Sequence, residues 1–133
     1  MNFESKETTG LSAPSSPAAP LKNVRVIDLG QYIAGPGAAM VLAELGAQVI
    51  KIEPLAGDQA RHIGRYGESM IRAYSRGKQS IALNLKSDAG REIAWRLIEN
   101  SDVVIQNLRP GAVDALGLGP SAVRERFPKL IYL

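Results

Sequence analysis

An α/β fold is the class this sequence predicts, on three observations. Short runs rich in Val, Ile and Leu alternate with stretches whose apolar residues recur at helical spacing. The first strand, helix and second strand fit within about thirty residues, the size of a βαβ unit. Glycine and polar residues gather where each apolar run ends. Strands and helices alternating in this way form a parallel, doubly wound sheet with helices on both faces.

The elements follow in order. Residues 1–20, MNFESKETTGLSAPSSPAAP, are rich in Ser, Ala, Pro and Thr and hold no apolar leader segment, so they are expected to be a disordered tail. Residues 21–133 carry the pattern. Val24–Gly30 is a strand. Gly37–Gly46 is a helix, with Pro36 near its start and Gly46 as its stop. Gln48–Glu53 is the second strand. A long polar loop, Pro54 to Lys78, comes next, and a loop of that length inside a compact domain is often functional. Gln79–Leu85 is the third strand. Ser87–Ser101 is an amphipathic helix with Ser87 as N-cap and Ala89, Ile93, Ala94, Leu97 and Ile98 along one face. Asp102–Leu108 is the fourth strand, PGAVDALGLG a short helical turn and PSAVRERF a helix opened by Pro120. Lys129–Leu133 is a fifth strand. So apolar a strand needs cover on both faces, so the expected architecture is a Rossmann-like parallel sheet in an incomplete domain. A short edge strand is the alternative.

Composition narrows the function. The chain has 133 residues, 45% hydrophobic and 22% charged, as in an ordinary globular domain. A net charge of +3 suits a small anionic ligand and gives no footprint for nucleic acid. Aromatics at 5% also argue against a base-stacking platform. There is no cysteine and one histidine, His62, so thiolate chemistry and a histidine-rich metal site are not expected. No stretch approaches the about 20 apolar residues of a transmembrane helix, and a cytoplasmic location is expected.

In doubly wound sheets ligands bind beyond the C-terminal ends of the strands. Those ends are Ile33–Gly37, Glu53–Gly57, Leu83–Lys86 and Asn107–Gly111. The first carries the stretch IAGPGAAM, which matches the first half of a G-x-G-x-x-G dinucleotide fingerprint, with Met40 where the third small residue belongs. Glu53 closes the second strand near the about 20-residue spacing of a ribose-binding acid. Nicotinamide binding is therefore one reading, and a tight strand-to-helix turn without a ligand is another. Arg61, Arg65, Arg72, Arg76, Lys78, Lys86 and Arg109 fall in or after these loops, and cations grouped on one rim would suit a ligand with several phosphates. Taken singly, each fits a solvated surface residue, as does His62.

The ordered blocks VRVIDLGQYIAGPGAAMVLAELGAQVIKIEPLAGDQAR, GKQSIALNLKSDAGRE, DVVIQNLRPGAVDALGLG and PKLIYL resemble the N-terminal part of the class III CoA-transferases, a superfamily that includes α-methylacyl-CoA racemase. The resemblance runs from about Leu21 to Leu133. It implies coenzyme A or an acyl-CoA as substrate, a carboxylic acid as partner, and no metal. It places the CoA contacts at Ile33 and Ala34 in the first loop, at Leu83, Asn84, Leu85 and Lys86 in the SIxLxxK-like block, and at Asn107, Leu108 and Arg109 in the block resembling ENFRPG. Arg61 matches the arginine of the GDxxR segment. Side-chain donors that some members carry at the positions of Ile33, Pro54 and Ala115 are absent here, which argues against simply assigning formyl-CoA:oxalate specificity. The family's catalytic aspartate, which forms a mixed anhydride and then an aspartyl-CoA thioester, matches no residue of this chain. Neither does the His/Asp pair of the racemases. The expected function is the CoA-binding segment of a transferase that moves CoA between carboxylic acids. The alternatives are an acyl-CoA racemase or a non-catalytic nucleotide-binding module. The resemblance also implies an interlaced homodimer at full length, so the segment by itself is expected to be marginal in stability, its last strands lacking neighbours.

Overall fold

The structure, a computed structural model, describes residues 19–133. The tail expected over residues 1–20 thus falls, up to residue 18, outside the described residues. Five strands form one sheet: β1 (Arg25–Asp28), β2 (Gln48–Glu53), β3 (Lys78–Ala82), β4 (Val103–Ile105) and β5 (Ile131–Tyr132). Their order is β3-β2-β1-β4-β5 and every pairing is parallel. The chain starts in the middle of the sheet, builds outward through β2 and β3, then returns past β1 to add β4 and β5. The direction of winding therefore reverses between β1 and β4, and the crevice at such a switch point is where doubly wound sheets hold ligands.

The helices are α1 (Ala34–Glu44), α2 (Gly64–Tyr74), α3 (Asp88–Glu99), α4 (Ala112–Ala115) and α5 (Pro120–Arg126). Alternation along β1 divides the core in two. Val26 joins Ala39 of α1 with Val49, Val103 and Ile105 on one face. Ile27 joins Ala94 and Ile98 of α3, Val104 and Val123 of α5 on the other. Apolar residues buried on both faces are what a parallel strand under helices requires. Ser87 caps α3 as expected, its hydroxyl accepting from the Gly90 amide at 3.2 Å. At the β5 edge, Tyr132 is buried and donates its hydroxyl to the Leu118 carbonyl at 2.9 Å, while Ile131 and Leu133 are exposed. Burial and the nearby Asp114 push the Tyr132 phenol up to about 12.

Two expectations need correction. Pro54 to Lys78 is not a structureless loop: Gln59–His62 is a 3₁₀ turn and α2 follows it. Glycines and polar residues masked the helix, yet Glu68 and Arg72 pair at 2.7 Å one turn apart, and α2 has a strongly one-sided apolar face. The glycine stretch is not a turn either. Helix α1 begins at Ala34, so Gly35, Pro36 and Gly37 form its first turn. Proline is tolerated there because first-turn amides have no intrahelical acceptor. Gly35 is buried against the Gly30 Cα and the Asn107 side chain, where an added Cβ would stand 2.9 and 2.8 Å away. Close packing of the helix on the β1 and β4 loops explains this glycine without a phosphate.

Gly67 is the sharper case. It is the one buried residue of α2, and an added Cβ would stand 1.7 Å from the Ala60 carbonyl oxygen of the 3₁₀ turn. Gly67→Ala is therefore expected to pry α2 from that turn at a cost of about 1–3 kcal/mol, measured by urea denaturation. Unchanged stability would contradict this packing.

Candidate functional site

Above the C-terminal ends of β1, β2 and β3 lies a cavity of about 360 Å³. Leu29, Ile52, Leu83, Leu85, Leu116 and Leu118 make its apolar walls, and Gln31, Asn84 and Lys86 supply polar groups. The β3–α3 loop that forms one wall is held by local bonds. Asn84 Oδ1 accepts from the Lys86 amide at 3.1 Å, the Ser87 hydroxyl donates to the Asn84 carbonyl at 2.8 Å, and Leu83 N–H donates to the Glu53 carbonyl at 2.8 Å. Asn and Ser shape such turns by bonding their own backbone neighbours. Across the cavity, Leu108 follows β4, its amide donating to Gln106 Oε1 at 2.8 Å.

A set of buried charges fixes the loops beside this cavity. Lys51 Nζ, on the central part of β2, donates to the Gly30 carbonyl at 2.5 Å and meets Asp58 Oδ2 at 2.9 Å and Asp28 Oδ2 at 3.9 Å. The contact with Asp58 is ionic rather than an aligned hydrogen bond. Lys78 Nζ donates to Asp28 Oδ2 at 2.8 Å and to the Pro36 carbonyl at 2.6 Å. Burial lowers the Lys78 ammonium's pKa, against the pull of Asp28. Glu53 accepts from Arg61 Nε and Nη2, both at 2.9 Å, from the Asp58 amide at 2.8 Å and from the Ser80 hydroxyl at 2.9 Å. The Arg61 guanidinium, against the cost of burial, holds the Glu53 carboxyl down at about 2.

The structure brings Leu83, Asn84, Leu85, Lys86 and Leu108 together on the cavity. Ile33 and Ala34 lie exposed at the start of α1, and Arg109 is exposed beyond Leu108; none of the three lines it. Asn107 is also off the lining: its amide accepts from Gln31 N–H at 2.8 Å and donates to Gln31 O at 3.0 Å, clamping the β4 loop to the β1 loop. Arg61 is turned to Glu53. The cation rim is smaller than the sequence suggests. Arg76 pairs with Glu44 at the far end of α1, at 2.8 Å, and Lys78 is buried under α1. Glu53 cannot serve as a ribose-binding acid, because four protein donors already occupy its carboxylate, and with it the nicotinamide reading loses its acid. His62 is exposed, with its Nε2 3.2 Å from the Ala56 carbonyl. Sequence reasoning missed Lys51, Asp28 and Asp58. The signal was available in QVIKIE and VRVIDLG, where a charge sits inside an otherwise apolar strand.

Glu53 ties acid stability to this region. Its folded pKa of about 2 lies below the ordinary 4.5, so its contribution is complete above pH 4.5 and is lost as pH falls toward 2. Glu53→Gln is expected to cost about 1–3 kcal/mol at pH 7 and to flatten the fall in stability between those pH values. Chemical denaturation of both proteins across that range checks it, and parallel pH profiles would contradict it.

Comparison with known proteins identifies the family. The family described as CoA-transferase family III matches residues 21–133. A probable fatty acyl-CoA transferase of Mycobacterium tuberculosis, Rv3272, is 42% identical over 124 residues, covering 89% of this chain and 32% of that protein. A crystal structure of Rv3272 superposes with a TM-score of 0.80 over 87% of this chain and 32% of its own. The CoA-transferase/lyase DddD of Marinomonas is 46% identical over 114 residues, covering 86% of this chain and 13% of DddD. A CAIB/BAIF family protein from Brucella suis, 37% identical, gives a TM-score of 0.79 over 85% of this chain and 32% of its own. The chain spans a third or less of these relatives' length. With five parallel strands in this order and a matched family over all but the first twenty residues, the chain belongs to CoA-transferase family III.

Proposed function

We propose that this chain forms the coenzyme A cradle of a transferase that moves CoA between carboxylic acids. The observation that carries the reading is the cavity itself. It lies at the C-terminal ends of strands in a family III sheet, and Leu83, Asn84, Leu85, Lys86 and Leu108 line it together. Apolar walls with one cation at the rim fit a flat purine ring attached to phosphates. Leu29, Ile52 and Leu85 would take the ring. Lys86, with Arg109 on the neighbouring loop, would face the phosphates, where an ammonium or guanidinium makes charge-assisted bonds. Ile33 and Ala34, at the open end of α1, would border the pantetheine arm with their backbone.

The transfer step needs a carboxylate nucleophile. In the proposed reaction an aspartate outside residues 21–133 attacks the acyl-CoA carbonyl, the C–S bond breaks, and CoA leaves as thiolate while a mixed anhydride forms. The thiolate then attacks the aspartyl carbonyl, releasing the donor acid and leaving an aspartyl-CoA thioester. The acceptor carboxylate attacks that thioester, the C–S bond breaks to give a second mixed anhydride, and the freed thiolate attacks the acceptor's carbonyl, forming the new acyl-CoA and restoring the aspartate. This chain's part is to hold the nucleotide end of CoA so that the thioester reaches the nucleophile. Family resemblance supports an interlaced homodimer for the whole enzyme and a cytoplasmic location. No helix among the described residues is long and apolar enough to cross a membrane.

Calorimetric titration tests the cradle. CoA is expected to bind and NAD is not. At 100 times its dissociation constant CoA should stabilise the fold by about 2.7 kcal/mol. Lys86→Ala is expected to weaken CoA binding about fivefold at low salt and by less at high salt. Binding of NAD without CoA would overturn the assignment.

A further inference from the structure

Tyr32 is the only non-glycine among the described residues with positive φ, at 63°. Left-handed backbone is costly for a side chain this bulky and persists only where the surroundings impose it. Two contacts impose it here, and both come from the segment after β2. Asp58 Oδ1 accepts from the Tyr32 amide at 3.1 Å, and the Tyr32 hydroxyl donates to Gln59 Oε1 at 2.7 Å. Asp58 is only 1% exposed. The same Oδ1 accepts from the Ala60 amide at 2.9 Å, and the other oxygen meets Lys51, whose ammonium donates to the Gly30 carbonyl. One buried carboxylate thus joins the 3₁₀ turn, strand β2 and both ends of the β1–α1 connection.

Immediately after Tyr32 come Ile33 and Ala34, where α1 opens with no side-chain cap on its first amides. We infer that Asp58 is a positioning residue: it locks Tyr32 in the left-handed conformation and thereby presents the Ile33–Ala34 backbone to the ligand. The inference rests on the coenzyme A reading of the site. Asp58 lies outside the cavity lining and touches no ligand in this role. It acts by keeping the loop in its binding geometry, and a loop in that geometry for a smaller fraction of time binds proportionally more weakly.

The test pairs amide hydrogen exchange with CoA titration on the 133-residue chain, using wild type, Asp58→Asn, Tyr32→Gly and the double variant. Asp58→Asn keeps the side chain's shape, but its single oxygen is needed by the Lys51 ammonium, so its NH2 turns toward the Tyr32 amide, which loses its acceptor. Tyr32→Gly supplies the left-handed backbone without strain, so it removes the need for the lock. In wild type the Tyr32 amide is expected to exchange at least about tenfold slower than in an open chain. Asp58→Asn should remove that protection and weaken CoA about tenfold. On the Tyr32→Gly background the same substitution should cost less than about threefold. A Tyr32 amide that exchanges at the open-chain rate in wild type overturns the lock, even if Asp58→Asn fails to fold. An equal loss on both backgrounds overturns it too, since a merely structural aspartate would not couple to Tyr32. Protection of Tyr32 in a chain that does not bind CoA leaves the lock standing and overturns the coenzyme reading alone.

Discussion

Lys51 sits in the middle of a buried strand with its side chain 2% exposed, and the top of the sheet is organised around it. A buried charge needs both an opposite charge and hydrogen bonds to remain. Asp58, Asp28 and the Gly30 carbonyl supply them, and each belongs to a loop or strand end beside the cavity. Asp28 recruits Lys78, which reaches the Pro36 carbonyl in the first turn of α1. The β1–α1 connection, the start of α1 and the 3₁₀ turn therefore share one electrostatic knot. Removing a partner from such a buried pair costs about 3–5 kcal/mol, far more than the exposed pair of Glu68 and Arg72 could contribute. Rigidity at the strand ends is what a pre-formed ligand site requires.

Local pattern made the sheet legible. VRVIDLG, QVIKIE and DVVIQNL are apolar runs that only a doubly covered strand explains, and β1, β2 and β4 fall inside them. Ser87 announced α3. The parallel direction of the strands follows from the connections, since each crossover carries a helix; their order in the sheet does not. What escaped was governed by contacts distant in sequence. The pattern of α2 was masked by Gly64 and Gly67, and Gly67 is there because the helix crosses the Ala60 carbonyl. IAGPGAAM reads as a phosphate turn because nothing local says that Gly35 packs on Gly30 and Asn107.

The site divides along the same line. Leu83 to Lys86 and Leu108 stand at strand ends, where topology alone directs a ligand, and they converge on one cavity. Residues whose side chains are engaged elsewhere could not be sorted by sequence. Asn107 clamps Gln31, Arg61 and Glu53 occupy each other, and Lys78 lies beneath α1. Charge identity announces a potential contact to phosphate but not whether an internal acceptor takes it first.

On the proposed function, coenzyme A occupies the cavity above β1, β2 and β3. Backbone amide chemical shifts of the labelled chain, followed during CoA addition, test it most directly. With CoA in that cavity, the largest changes are expected at Leu83–Lys86, Leu108 and Arg109, with Ile33 and Ala34 beside them. Changes centred instead on the groove at the opposite end of the sheet, around Lys22–Arg25 and Glu99–Asp102, would contradict it.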